Sequence, residues 1–201
     1  MGYSKRRFAR QEDLGLDRAE FASMKKLRTP QRIQTFLNAL SNNYELDGET
    51  LLSARQVLRF RRAHCIEAAF VAGCALWING SPPLVMHLDS DPRDFPHVIT
   101  LFRDHNHWGA LSKSRTAGLG YRDPVYRTLR ELVMSYFHEY CDTYGYRTLR
   151  EYSRPFDLRN LAPALWVTAE APCVEAHDRL ANLRHYALIS SRQQHLLRFI
   201  A

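Results

Sequence analysis

The pattern of apolar and polar positions is clearest in the middle of the chain, where it predicts one helix followed by three strands. Residues 66–78 form a largely apolar, alanine-rich run that is too long for an ordinary strand, so we predict a helix that begins at Cys65. Asn79-Gly80 ends this helix, because both residues tolerate the left-handed conformation. Shorter apolar runs predict strands over residues 84–88, 97–102 and 108–112, and the polar turn at 103–107 makes the last two an antiparallel hairpin.

Helical patterns flank this segment on both sides. Thr29-Pro30 has the form of an N-cap followed by a proline in the first turn, and Ser53 is the cap of a short helix that ends near Phe60. Asp123-Pro124 opens a predicted long amphipathic helix, whose apolar face comprises Tyr126, Leu129, Leu132, Val133, Tyr136 and Phe137. Further helices are predicted over 17–26 and 172–184. Helices combined with a small set of strands predict the α+β class.

Length and composition favour a single domain spanning residues 1–201. The chain is 45% hydrophobic, which is enough to bury a substantial core. No run approaches the ~20 apolar residues that are needed to cross a bilayer, and the N-terminus lacks the apolar region of a signal peptide. We therefore expect no membrane partner. Four irregularly spaced cysteines without a secretory signal predict reduced thiols and a cytoplasmic location.

The charge is positive, with 28 Lys and Arg against 21 Asp and Glu and a formal net charge of +7. The basic residues crowd the N-terminal half, and residues 1–28 are expected to form a basic segment that is a candidate for flexibility. Clustered positive charge is compatible with an acidic partner. The sequence contains no nucleic-acid-binding motif, so we do not expect nucleic acid as a partner, and we favour a solvated basic surface.

Cys65 and His97 are the residues whose positions suggest chemistry. A thiol in the first turn of a helix lies near unpaired amide groups, whose partial positive charge favours the thiolate. A histidine at the head of a strand could serve it as general base and then as general acid. The two residues are far apart in the sequence, so only the fold could bring them together. The alternative interpretation is structural, because free cysteines are often simply buried small residues.

A metal site is the second chemical alternative for this segment. His64, Cys65, His97, His105 and His107 are all potential ligands. However, no second pair of cysteines or histidines has the spacing of a structural zinc site. We therefore predict neither a metal nor a cofactor.

The segment from 61 to 114 resembles the transglutaminase-like superfamily of papain-type folds. The resemblance is carried by the helix-starting Cys65, the small-residue-rich helix, the Gly80-Ser-Pro-Pro83 approach to a strand, His97 at the head of a strand, and Trp108-Gly109 before the last part of the sheet. It covers roughly residues 50–150. It implies a papain-type α+β fold in which the nucleophile helix packs on a small antiparallel sheet, with extra N- and C-terminal helices.

The resemblance implies Cys65 as the nucleophile and His97 as the base. The third catalytic position, an aspartate four residues after the strand tryptophan in that family, falls on Ser112, which is a departure. A serine accepts a hydrogen bond from the imidazole but supplies no negative charge to stabilise the imidazolium. Asp104 is an alternative carboxylate in the hairpin turn. Gln56 is a weak substitute for the side-chain oxyanion donor that some relatives carry.

Two function classes follow from these residues. The first is cysteine-dependent acyl transfer or amide hydrolysis on a peptide or protein substrate through the Cys65–His97 pair. The second is a binding module that keeps the same fold with a degraded triad, and Ser112 is the observation that favours it. A Cys–His hydrogen bond in an open cleft favours the enzyme, whereas a buried Cys65 or a His97 that is turned away favours the module.

Overall fold

The computed structural model describes residues 7–46, 48 and 50–199, and the structural statements that follow refer to these residues. The helices are α1 Gln11–Leu14, α2 Arg18–Lys25, α3 Pro30–Asn38, α4 Ala54–Phe60, α5 Cys65–Ile78, α6 Leu129–Met134, α7 Val174–Ala181 and α8 Ser191–Gln194. The strands are β1 Ser41–Asn42, β2 Arg62–Ala63, β3 Leu84–Ser90, β4 His97–Asp104, β5 His107–Leu111, β6 Arg122–Tyr126, β7 Leu149–Ser153, β8 Phe156–Asp157 and β9 His185–Ala187. The chain is therefore of the α+β class, as the sequence predicts.

Helix α5 lies at the centre of the molecule and begins at Cys65, as predicted. Every residue from Ile66 to Ile78 is buried, which is what a helix that is apolar on all sides requires. Helices α2, α3 and α4 pack against α5, and strands β3 and β4 contact it as well. Only the first residue, Cys65, is half-exposed, so the fold brings the thiol to the surface at the N-terminus of a buried helix.

The main sheet is antiparallel and has the strand order β6-β5-β4-β3-β7-β9, with β8 also pairing with β3. The predicted hairpin is confirmed, since β4 and β5 pair from Thr100–Leu111 to Asp104–His107. Residues of the central strands are buried on both faces of the sheet. This explains why apolar and polar residues alternate so weakly in the sequence of β3.

Two apolar cores cover the two faces of the sheet. The first contains α5 and the helices packed on it. The second joins Met86, Leu88, Ile99 and Leu101 of the sheet to α6 and the segment that follows it, through Leu132, Val133, Tyr136, Phe137 and Tyr140. The aromatic side chains of this segment are thus core residues. The C-terminal tail adds Leu188 and Ile189 to the same core.

Gly109 allows close packing at the centre of the hairpin. A Cβ atom there would lie 2.4 Å from the ring of Phe102 and 2.9 Å from the carbonyl oxygen of Arg122. The Phe102 ring thereby packs over β5, where it also stacks against Tyr121 at 5.8 Å. The Trp-Gly pair in the sequence thus has a packing reason that is independent of any activity.

The predicted long helix after residue 123 is wrong. Residues 122–126 form strand β6, which pairs with β5, and the helix that follows spans only Leu129–Met134. Its N-cap is Thr128, whose side chain accepts a hydrogen bond from the Glu131 amide. The apolar spacing was compatible with a helix, but the unpaired edge of β5 takes residues 122–126 as a strand.

The basic N-terminal segment is also structured where it is described. Residues 7–28 contain α1 and α2, and they bury Leu14, Leu16 and Met24 in the first core. Residues 1–6 of the predicted flexible segment lie outside the described part of the chain. Within the described residues, no helix is long and apolar enough to cross a membrane.

Candidate active site

The structure brings Cys65 and His97 into one cleft of about 490 Å³. Cys65 enters it from the N-terminus of α5, and His97 from the first position of β4. Both side chains line the cleft, although only 6% of the His97 surface is exposed. His97 is therefore turned toward the thiol and not away from it, and Cys65 is accessible from the cleft.

The thiol of Cys65 is strongly acidic. Burial opposes ionisation and by itself raises the pKa, but hydrogen bonds with the imidazoles of His64 and His97 outweigh it and lower the pKa of Cys65 to about 5. The position at the start of a helix acts in the same direction. Cys65 is therefore a thiolate at neutral pH, the form in which a cysteine is nucleophilic.

Ser112 holds the other side of His97. The Nε2 atom of His97 lies 2.6 Å from the Oγ atom of Ser112, which leaves Nδ1 as the ring nitrogen that serves the thiol. Continuing the β4–β5 register places Ser112 opposite Ile99, diagonal to His97 on the same face, and such diagonal neighbours reach each other. The third position predicted from the resemblance is thus in contact with the histidine, as a neutral group.

Gln34, which sequence reasoning missed, fixes Ser112 through its backbone. The Gln34 side chain donates to the Ser112 carbonyl oxygen at 2.8 Å and accepts from the Ser112 amide at 3.1 Å. Gln34 belongs to α3 and is buried, and its amide also donates to Asn38 at 2.8 Å. Helix α3 therefore positions the histidine through Ser112.

His64 is the largest addition to the predicted site. Its Nε2 atom lies 3.3 Å from carboxylate oxygens of both Glu45 and Glu67, and its ring hydrogen-bonds to the Cys65 thiol. Burial opposes the charged form, but the contacts with Cys65 and Glu67 outweigh it and raise the pKa of His64 to about 10. His64 is therefore an imidazolium at neutral pH, held between a thiolate and two carboxylates.

Glu67 is fully buried and supplies the charge that keeps His64 protonated. Its carboxylate accepts hydrogen bonds from the backbone amides of His64 and Leu52, each at 2.8 Å, and from the side chains of Thr50 at 2.8 Å and Asn43 at 3.0 Å. Burial raises the pKa of such a group, but His64 and these donors lower the pKa of Glu67 to about 2. One buried carboxylate thus ties the 43–52 loop to the start of α5.

A signal for this pair was present in the sequence. Glu67 is the one acidic or basic residue in the otherwise apolar run from Ile66 to Ile78, and glutamate is rarely buried without a partner. In the first turn of a helix the nearest candidate is the N-cap residue three positions earlier, which is His64. The His-Cys-x-Glu arrangement therefore predicts the ion pair, provided that the carboxylate faces inward.

The alternative residues of the sequence analysis lie elsewhere. Asp104 is at the opposite end of β4 from His97, about 23 Å along the strand, and contacts the exposed His105. It cannot be the third catalytic group. Gln56 is committed to capping α4, where it accepts from the Ser53 amide at 3.0 Å, and its side-chain amide donates to the Glu170 carbonyl oxygen at 2.9 Å. It cannot be the oxyanion donor.

The metal site considered from the sequence is not assembled, because His105 and His107 lie at the far end of the hairpin from His97. Among the described residues, Glu45, His64 and Glu67 offer ligand atoms that lie within 4.8 Å of one another. The oxygens of Glu67 already accept from amide and hydroxyl donors, and the 3.3 Å contacts of His64 are those of an ion pair. The donor set therefore suits a proton on His64 better than a cation.

Comparison of this chain with protein-family models and with curated proteins finds no match.

Proposed function

We propose that this protein is a cysteine-dependent acyltransferase or amidase of the transglutaminase-like, papain-type class, acting on peptide or protein amides. The observation that carries the proposal is the convergence of a helix-starting thiolate and two imidazoles at an open cleft. The arrangement agrees with that architecture, because helix α5 carries Cys65 beside an antiparallel sheet and strand β4 of the sheet begins with His97.

The reaction begins with attack of the Cys65 thiolate on the carbonyl carbon of the bound amide. The tetrahedral oxyanion is next to the backbone amide of Cys65, which has no intrahelical acceptor because it belongs to the first turn of α5. The imidazolium form of His97 donates a proton to the leaving amine, the C–N bond breaks to give a thioester, and His97 is left as the neutral imidazole. His97 then takes a proton from water or from a second amine, which attacks the thioester and releases Cys65.

His64 and His97 have different roles in the proposed reaction. The pKa of about 10 makes His64 a permanent cation near neutral pH, so it stabilises the thiolate but is too weak an acid to deliver a proton. Among the described residues no carboxylate pairs with His97, whose Nε2 atom contacts the neutral Ser112, and we assign proton transfer to His97. The negative charge that the family places on the third position is here supplied to His64 by Glu45 and Glu67.

The test is a burst experiment with p-nitrophenyl acetate. We expect rapid release of nitrophenolate, equivalent to the protein present, with an acetyl group on Cys65 seen by mass spectrometry, followed by slow turnover. His97→Ala should keep the burst, because His64 still favours the thiolate, and should slow turnover by about 10²-fold or more. Cys65→Ala is the control that removes the burst. A panel of peptide anilides at the same pH then tests amide cleavage.

Absence of both the burst and the acetyl adduct at Cys65 would contradict the proposal. The binding module would then be preferred, since Ser112 in place of a carboxylate already favours it. Acylation that proceeds equally fast in wild type and Cys65→Ala would mean that another nucleophile reacts, and the proposed site would be wrong.

A further inference from the structure

A second concave surface adjoins the reactive cleft, and no carboxylate is among the described residues that line it. It has a volume of about 600 Å³ and shares residue Asn42 and the segment 113–116 with the reactive cleft. Of the described residues that line it, Lys113 and Arg115 are the only charged ones. Any extended molecule whose amide lies at Cys65 can therefore reach a purely positive surface next to it.

Lys113 is buried, and the part of the chain that the structure describes gives it no charged partner. Only 8% of its surface is exposed, and its Nζ atom donates to the Leu40 carbonyl oxygen at 2.8 Å. Among the described residues, no carboxylate lies within ion-pair distance of it. An ammonium has three donors, so two N–H groups lack an acceptor from the described residues. Lysine is almost never buried in this way unless it is paired, which indicates a missing anionic partner.

Arg115 provides a second positive charge at the rim of the same surface. Its guanidinium lies over the Tyr44 ring at 5.0 Å from the centroid, and none of the described carboxylates pairs with it. The aromatic contact restricts the long side chain. Arg115 therefore presents a charge beside Lys113.

The carboxylates of the reactive cleft do not neutralise these two cations. Asp94 accepts from the Thr148 hydroxyl at 2.6 Å, and Asp142 accepts from the backbone amides of Tyr144 and Tyr146. Of the other described cations of that cleft, Arg93 is paired with Asp91 at 2.6 Å, and His64 lies 3.3 Å from Glu45 and Glu67. The uncompensated positive charge is thus on the 113–116 side.

We propose that the surface around Lys113 and Arg115 is a subsite for an anionic group of the substrate, so that the amide attacked by Cys65 belongs to an acidic compound such as a peptide with a carboxylate next to the reacting residue. This inference rests on the proposed function, because it concerns the substrate of the same thiolate. The carboxylate takes the free donors of Lys113 and a donor of Arg115, and this contact places the amide at Cys65.

The first test compares two alkylating reagents that differ in charge. The second-order rate constants of iodoacetate and iodoacetamide at Cys65 are measured at pH 6 and low salt, and their ratio reports attraction of an anion to the thiolate. We expect the ratio to fall by about three- to tenfold in Lys113→Met and in Arg115→Gln, the size expected for the loss of one nearby unit charge. Raising the salt concentration should reduce the wild-type ratio, because exposed charges are screened.

Arg103→Gln is the matched control, since it removes the same charge from β4 about 20 Å along the strand from His97. Lys113→Arg keeps the charge at the buried position and should retain the wild-type ratio if the charge is what matters. An unchanged ratio in both Lys113→Met and Arg115→Gln, with Cys65 still reactive at pH 6, would overturn the subsite and leave the proposed function standing.

The second test does not depend on the reactivity of Cys65. Amide chemical shifts of residues 112–116 are followed by NMR during titration with N-acetylglutamate amide and, separately, with N-acetylglutamine amide. We expect shifts with the first compound only, and their loss in Lys113→Met. If these shifts occur but Cys65 fails the burst experiment, the anion site is supported and the proposed enzymatic function is contradicted. Equal shifts with both compounds would overturn the anion site.

Discussion

Replacing His64 by glutamine should make Cys65 a much weaker acid while leaving the fold in place. The substitution removes the imidazolium that lies between the thiolate and the carboxylates of Glu45 and Glu67. His97 and Ser112 are untouched. The variant therefore separates the stabilisation of the thiolate from the transfer of protons.

The size of the effect follows from the balance at the thiol. The two histidines together lower the pKa of Cys65 from an ordinary value of 9.0 to about 5, against the effect of burial. Loss of one of them should return at least half of that difference, so we expect a pKa of about 7 or above. At pH 6 the thiolate fraction then falls from about 90% to about 9%, and the alkylation rate falls about tenfold.

The assay is the pH dependence of iodoacetamide labelling at Cys65 between pH 4 and 10, with each cysteine-containing peptide quantified by mass spectrometry. Cys141 is an internal reference in the same digest, because burial raises the pKa of its thiol. His105→Gln is the control variant, since His105 is exposed and contacts Asp104 at the far end of β4. An apparent pKa that is the same in His64→Gln and wild type would refute the assignment of His64 as the cation of the site.

Three further predictions concern the supporting residues. Ser112→Ala removes the hydrogen bond to His97 and should slow deacylation about tenfold. Labelling of Cys65 at pH 6 should not change. A parallel loss of labelling would mean that the serine only maintains the structure. Glu67→Ala removes the acceptor of the Leu52 amide and one acceptor of the Asn43 side chain, which keeps Thr50. It should lower the free energy of unfolding by about 3–5 kcal/mol in urea titrations. A loss below about 1 kcal/mol would show that water replaces the carboxylate. The Cys65–His64 pair should contribute stability that is constant between about pH 6.5 and 9, because the folded pair and the unfolded pair each bind one proton there. Below pH 6.5 the unfolded pair binds more protons than the folded pair, so the stabilising contribution falls as the pH is lowered toward 5. Above pH 9 the folded pair binds more protons, so the contribution falls as the pH is raised toward 10. Urea midpoints of wild type minus those of Cys65→Ala over pH 5–10 measure this contribution, and a difference that slopes steadily from 6.5 to 9 would contradict the ion pair.

The elements that the sequence predicted correctly are those whose patterns are local. Helix α5 could be read from an apolar, alanine-rich run with a clear stop, and the β4–β5 hairpin from two apolar runs around a short polar turn. The N-caps Thr29 and Ser53 were recognisable because a capping side chain bonds to an amide only three residues away. Such features depend only on neighbouring residues in the chain, so they can be predicted without knowledge of the fold.

The parts that failed depended on distant partners. Residues 122–126 have a pattern compatible with a helix, but they form a strand because the edge of β5 is available to them. Gln34 was missed because its bonds to the Ser112 backbone join α3 to the end of the hairpin, and nothing in the sequence around either residue indicates that contact.

The sequence by itself determined the class of the fold and the position of Cys65 at the start of a buried helix, because composition and periodicity are sufficient for both. The tertiary structure alone decided which charges surround that thiol. Glu67 becomes the partner of His64 because its buried carboxylate lies within 3.3 Å of the imidazole. Lys113 has no carboxylate partner among the described residues, and its Nζ atom donates to the Leu40 carbonyl oxygen. Electrostatic interactions depend on distance and on exclusion of water, and only the folded chain fixes these two quantities.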